Sequence, residues 1–199
     1  MWFRVSQSLR VPVCIVAILL AFVFMLVFRS LDLETPNSAA SKGIVSLELA
    51  GTVQRADAII AVWTSKFGDL QRAWLSILID FGFILVYSTA LGLSCILASE
   101  MFRAKHVGPG LGLPRIGILL AWGASIAGLL DVMENLAMVA MLWGARAEIW
   151  PQLAHSFATV KFALVLAGLG YSLVGVGWSL GDWWACISSW VRGRTGSSA

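Results

Sequence analysis

The chain has 199 residues, 59% of them hydrophobic and only 13% charged, with a formal net charge of +3. A soluble domain carries about 25% charged residues, so the composition excludes an ordinary soluble domain and points to a bilayer. Neither half holds a dense Lys/Arg cluster interleaved with aromatics, so nucleic acid is not an expected partner. Cys14, Cys95 and Cys186 lack CxxC or zinc-like spacing and read as small apolar filler.

The first apolar run, about residues 11–28, follows "MWFRVSQSLR". It is longer than the ~7–15 residues of a signal-peptide core, so an uncleaved anchor is expected despite the small-residue run "NSAAS" downstream. The connection after it holds an amphipathic segment at about 44–67. There Val53, Ala56, Ile60, Trp63 and Phe67 recur at spacings of three or four, with Gln54, Arg55, Asp57, Thr64 and Lys66 off that stripe. A helix lying on the membrane or capping the bundle is expected, more as packing than as a gating lid. Glu48, between Leu47 and Leu49, is either exposed at a helix start or turned inward.

Further apolar runs at about 75–98, 116–143 and 153–180 approach or exceed the ~20 residues that a spanning helix needs. Pro12, Pro114 and Pro151 fall near expected helix starts and Pro36 and Pro109 in connections, leaving the span interiors continuous. "HVGPGLGLPR" lacks the spacings of a phosphate-binding glycine loop and reads as a turn. "GARAEIWPQ" is short enough to make the last two spans antiparallel neighbours. "GDWWACISSWV" reads as a short interfacial helix, and the tail at about 192–199 as disordered. The expected fold is a single transmembrane domain over 1–199: all-α, an integral membrane four-helix bundle with an extra amphipathic helix in the first extracytoplasmic connection.

Basic residues near the span ends set the threading. Arg4, Arg10, Arg103, Lys105, Arg115, Arg192 and Arg194 lie in short segments on one side. Arg29, Lys42, Arg55, Lys66 and Arg72 are spread over the long first connection, balanced by acids, with Arg146 in the third. That density places both termini in the cytoplasm. Trp63, Trp74, Trp143 and Trp150 are then expected at the outer interface, and Trp2, Trp178, Trp183, Trp184 and Trp190 at the inner one.

Within "AGLLDVMENLAMVAMLW", Asp131, Glu134 and Asn135 interrupt an otherwise apolar helix on one ~100° arc. Ala124, Ala127, Gly128 and Met138 share that face, so it is expected to meet another helix. The second span offers Asp80, Tyr87 and Ser94 on one narrow stripe; the fourth offers Lys161, Gly168, Ser172 and Gly175. At ~1.5 Å rise per residue, Asp80, Asp131, Glu134, Asn135 and Lys161 all fall in the outer half of the membrane. Each central charge costs about 2.5–3.5 kcal/mol on insertion scales. A surplus of carboxyls over Lys161 therefore calls for a proton, a cation, a wet cavity or a cationic ligand.

Three readings of this cluster follow. The favoured one is a structural or accessory network that sets helix register, with Lys161 paired to Glu134 or Asp131. The second is an enzyme acting on a lipid by acid–base chemistry, its candidate catalytic residues being Asp131, Glu134, Asn135, Asp80 and Lys161. Under it Tyr87, Glu48 and Ser172 are candidate ligand-binding residues, and Asp131 with Glu134 would be the pair able to hold Mg²⁺. The third is proton- or cation-coupled transport. No cofactor or metal is expected. Membrane lipids are the expected partners, with a homo-oligomer or a membrane partner left open.

The runs "GIVSLELAGT", "DFGFILVYS", "AGLLDVMEN" and "ATVKFAL" together resemble an uncharacterised family of small bacterial four-span inner-membrane proteins. The resemblance covers most of the chain from Gly43 to about Tyr171 and implies a bacterial inner-membrane location, without an activity. Sterol-isomerase-like membrane proteins offer an analogy, because they also place acids and an amide in a membrane cavity, but no motif matches them residue by residue.

Overall fold

Four helices long and apolar enough to cross a membrane form the frame. The computed structural model describes residues 6–31, 40–104 and 112–195, with side chains as far as residue 178. In chain order the elements are α1 (Gln7–Leu31), α2 (Val45–Glu48), α3 (Val53–Ser65), α4 (Asp69–Ala104), α5 (Leu113–Leu142) and α6 (Ile149–Thr195). No strand occurs among the described residues. The chain is a multi-pass, all-α membrane protein.

The helices outrun the apolar stretches that announce them. Hydropathy reports the part in hydrocarbon, whereas backbone hydrogen bonding carries each helix on into its polar flanks. Because α1 starts at Gln7, Pro12 lies inside it rather than at its start. "GDWWACISSWV" is not a separate helix but the continuation of α6, which runs to Thr195 and takes in the first residues of the expected tail. Residues 196–199 lie outside the described residues, as do Trp2, Pro36, Lys105 and Pro109 and the side chains of Trp183, Trp184, Cys186 and Trp190.

Helices α4, α5 and α6 pack on one another, and α1 lies along α4. Lipid tails supply no hydrophobic drive between helices, so close backbone approach must do the work. A Cβ on Gly128 would sit 3.3 Å from Ser88 Cβ, one on Gly168 3.0 Å from Leu91, and one on Gly175 2.6 Å from Ala98 Cβ. The two stripes expected to face inward do so: Ala124, Ala127 and Gly128 on α5, and Lys161, Gly168, Ser172 and Gly175 on α6, are all buried. Leu78, Leu85, Leu119, Leu129, Leu166 and Leu173 point outward, as lipid-facing side chains should.

The segment 44–67 is two helices rather than one. Gly51 turns the chain at φ +69°, a left-handed conformation that L side chains rarely adopt. Thr52 then caps α3 by accepting from the Arg55 amide at 3.4 Å. Ala56, Ile59 and Trp63 of α3 are buried against Ala73 and Ile77 of α4, Met138 and Met141 of α5 and Ala154 of α6. Trp63 is therefore a core residue at 0% exposure and not an interfacial anchor. Phe67 leaves the expected stripe because α3 ends at Ser65, and its ring is fully exposed. Glu148 accepts from the Val53 amide at 3.2 Å and Arg146 reaches Asp57 at 3.8 Å, tying this cap to the α5–α6 connection.

Candidate functional site

The cap closes the end of the bundle where α4 begins, α5 ends and α6 begins, and the intramembrane charges gather beneath it. Asp131, Glu134 and Asn135 share one face of α5 because positions three and four apart are neighbours on a helix. The buried face of α6 brings Lys161 opposite them. Its Nζ donates to Asp131 Oδ1 at 2.7 Å and lies 2.7 Å from Glu134 Oε2. Lys161 thus pairs with both carboxyls rather than one.

Glu48, on the last residue of α2, turns inward, with Oε2 3.9 Å from the same Nζ. Burial lifts its carboxyl above the ordinary 4.5; Lys161 opposes that shift and Asp131 adds to it. Asp80 of α4 accepts from Asn135 Nδ2 at 2.7 Å, so the α5 amide bridges to a fourth acid.

Burial makes this arrangement costly. Asp131 is 4% exposed, Lys161 6% and Glu134 0%. Desolvating such charges is repaid only by close pairing and by satisfying the remaining hydrogen-bonding groups. Pairing is incomplete here. Neither Glu134 oxygen makes a hydrogen bond; Oε2 meets Lys161 at ion-pair distance but off the hydrogen-bonding angle. The buried Tyr87 hydroxyl has no hydrogen-bond partner either. Among the described residues, no three His, Cys, Asp or Glu side chains are grouped to hold a metal.

The cluster opens sideways. A cavity of about 980 Å³ runs between α1, α4 and α6, with α2 above one end. Its polar end is formed by Glu48, Asp80, Tyr87, Asp131 and Lys161, and its walls by apolar residues such as Ile18, Phe83, Leu91, Val165, Leu169 and Val176. Phe83 meets Tyr87 at 5.2 Å between ring centroids and Phe24 of α1 at 5.9 Å, both tilted, and Phe28 of α1 edge-on at 5.5 Å. Tyr87 is thereby linked to the helix that walls the groove.

Of the residues singled out in the sequence, Glu48, Asp131, Glu134 and Lys161 meet directly, Asp80 and Asn135 join them, and Tyr87 stands beside them. Ser172 does not. It lies about 16 Å further along α6, where Cys95 Sγ is 3.6 Å away and the groove passes over it. In the sequence Arg29 and Lys42 are topology signals alone, yet both line the groove. Charge type alone marked them; their convergence on one cavity has no local sequence signature. No family model, no curated protein and no solved structure matches the chain, so the chemistry of the site must be read from its own residues.

Proposed function

We propose that the protein binds a membrane lipid, its apolar chain lying in the α1–α4–α6 groove and its polar head at the carboxyl–lysine cluster. The observation that carries this reading is the continuity of the two: the cluster forms one end of a long apolar cavity. A network serving register alone needs no opening, and buried polar groups that stay partly unpaired are costly without a ligand. An apolar cavity ending in a few convergent polar groups is the usual form of a small-molecule site. The cluster lies under the α2–α3 cap, and with both termini on the cytoplasmic side of a bacterial inner membrane the cap and cluster face the outside.

A second reading, acid–base chemistry on the bound lipid, is favoured by Glu48. Burial favours its protonated form, and it sits beside ionisable partners at the polar end of the groove.

Filling the groove tests the primary reading. Leu169→Trp, on a wall remote from the cluster, should abolish lipid retention in native mass spectrometry while leaving thermal melting in detergent within ~0.5 kcal/mol of wild type, as a surface change does. An undiminished lipid complement in this variant would refute the groove assignment.

A further inference from the structure

The polar end of the groove carries charges of both signs in a definite order. From that order we infer that the ligand is a zwitterionic aminophospholipid, its ammonium group held by Glu48, Asp80 and Tyr87 and its phosphate held at the rim by Arg29 and Lys42. The inference rests on the lipid-groove reading above and names the headgroup.

The acids outnumber the one lysine among them. Lys161 is committed to Asp131 and Glu134, each at 2.7 Å, and stands off from Glu48 at 3.9 Å. Asp80 has a neutral amide, Asn135, as its hydrogen-bond donor. Glu48 and Asp80 are therefore the groove-lining carboxyls left with the least positive charge. Beside them the buried Tyr87 hydroxyl lacks a hydrogen-bond partner, and so does Oε1 of the fully buried Glu134, whose Oε2 faces Lys161. Surplus acceptors in a low-dielectric pocket favour a donor that brings positive charge. A primary ammonium offers three N–H donors, matching the acceptor oxygens of Glu48, Asp80 and Tyr87. A quaternary choline group has none to offer, and an uncharged glycerol head brings no compensating charge.

The rim supplies the opposite sign. Arg29 is in the last turn of α1 and Lys42 stands just before α2; both are exposed and both line this groove. Phe28, one residue before Arg29, packs on Phe83, so this end of α1 is level with the Asp80 region of α4. Guanidinium and ammonium groups are the natural partners of a phosphate. In a phosphoethanolamine head the phosphate and amine are two carbons apart, so one head can span rim and pocket together.

Purified wild-type protein, presented with phosphatidylethanolamine, phosphatidylcholine and phosphatidylglycerol of identical acyl chains, provides the test by native mass spectrometry. Phosphatidylethanolamine should bind about tenfold tighter than either other lipid, the scale of one charge-assisted hydrogen bond. Asp80→Asn and Glu48→Gln, each checked by melting, should erase that preference. Arg29→Gln combined with Lys42→Gln should weaken all three phospholipids alike, without affecting diacylglycerol. Equal binding of the three headgroups, or tighter binding of phosphatidylglycerol, would overturn the headgroup assignment and leave the groove intact. Absence of binding to any of the lipids would overturn both. Should Glu48→Gln fail to fold, the partly exposed Asp80→Asn alone decides the preference.

Discussion

Helix α4 meets two very different neighbours. Toward α5 and α6 it presents Ser88, Leu91 and Ala98 to Gly128, Gly168 and Gly175, and the backbones close to contact. Toward α1 it presents Phe83, Tyr87 and Ser94, and a cavity remains along much of the interface. On α1 only Cys14 and Ala17 are buried among the described residues, while α4 has buried positions from Asp69 to Phe102. The contrast follows from what each side holds. Ion pairs away from water tolerate little displacement, because their attraction must offset desolvation at close range. An apolar chain needs room and has no such geometric demand. The three-helix side holds charges at close range, and the α1 side leaves the room that the proposed lipid would fill.

The largest way to break this contrast is to remove Lys161. Lys161→Met leaves Asp131, Glu134 and Glu48 buried around an apolar side chain and should cost about 3–5 kcal/mol, read as an early melt in detergent. Adding Asp131→Asn should recover part of the loss. A Lys161→Met protein that melts like wild type would show that the tight side is not held by its charges.

Next comes a paired comparison of close approaches. Gly175→Ala forces a methyl to 2.6 Å from Ala98 Cβ and 3.2 Å from its Cα, an overpacking worth about 1–3 kcal/mol. Gly82→Ala, on the α1 side, meets the tip of the Phe24 ring at 3.2 Å. That atom is the far end of a partly exposed side chain and not backbone, so the cost should be the smaller of the two. Equal losses in melting would remove the distinction between the two faces.

A pH series sharpens the account of the polar end. The folded-state pKa of Glu48 is raised above 4.5 by burial, with Lys161 opposing. Its contribution to stability is therefore fully present below 4.5 and is lost as pH rises through the raised value. Glu48→Gln removes that dependence, so the variant should gain on wild type with rising pH, the difference closing toward acid. A gap that widens on acidification would reverse the sign.

The smallest effect is expected where α1 is tied to the far end of α4. Arg10 pairs with Glu100, and the arginine side chain is largely buried while the glutamate is about one-third exposed. Arg10→Gln should cost at most ~1 kcal/mol, the usual scale for partly exposed pairs. It should leave the Lys161 cluster untouched, which unchanged lipid retention in native mass spectrometry would verify.

Much of the architecture is legible in the residues. Hydropathy marks four spans, and the glycine and alanine stripes mark their contact faces, because both signals are local and periodic. Boundaries were less legible, since a helix continues past the hydrocarbon that reveals it; Pro12 inside α1 and the extension of α6 to Thr195 are the result. The fate of Phe67 depended on α3 ending at Ser65, two residues before the apolar spacing ran out. Trp63 fits two expectations, interfacial anchor and apolar stripe of a capping helix. It is core because the cap folds down onto the bundle, and periodicity alone does not choose between membrane and bundle as the surface that the stripe meets.

Hydropathy and residue spacing are enough to make the chain an all-α membrane bundle and to set Asp80, Asp131, Glu134, Asn135 and Lys161 at comparable depth. Spacing along helices of known rise is sufficient for that. Tertiary packing was needed to turn Glu48 inward and to let Lys161 serve two carboxyls at once. It alone also placed Arg29 and Lys42 on the rim of the same groove. Those outcomes depend on how far neighbouring helices rotate and how closely they approach. Small residues permit that approach without dictating which helix pair closes and which stays open.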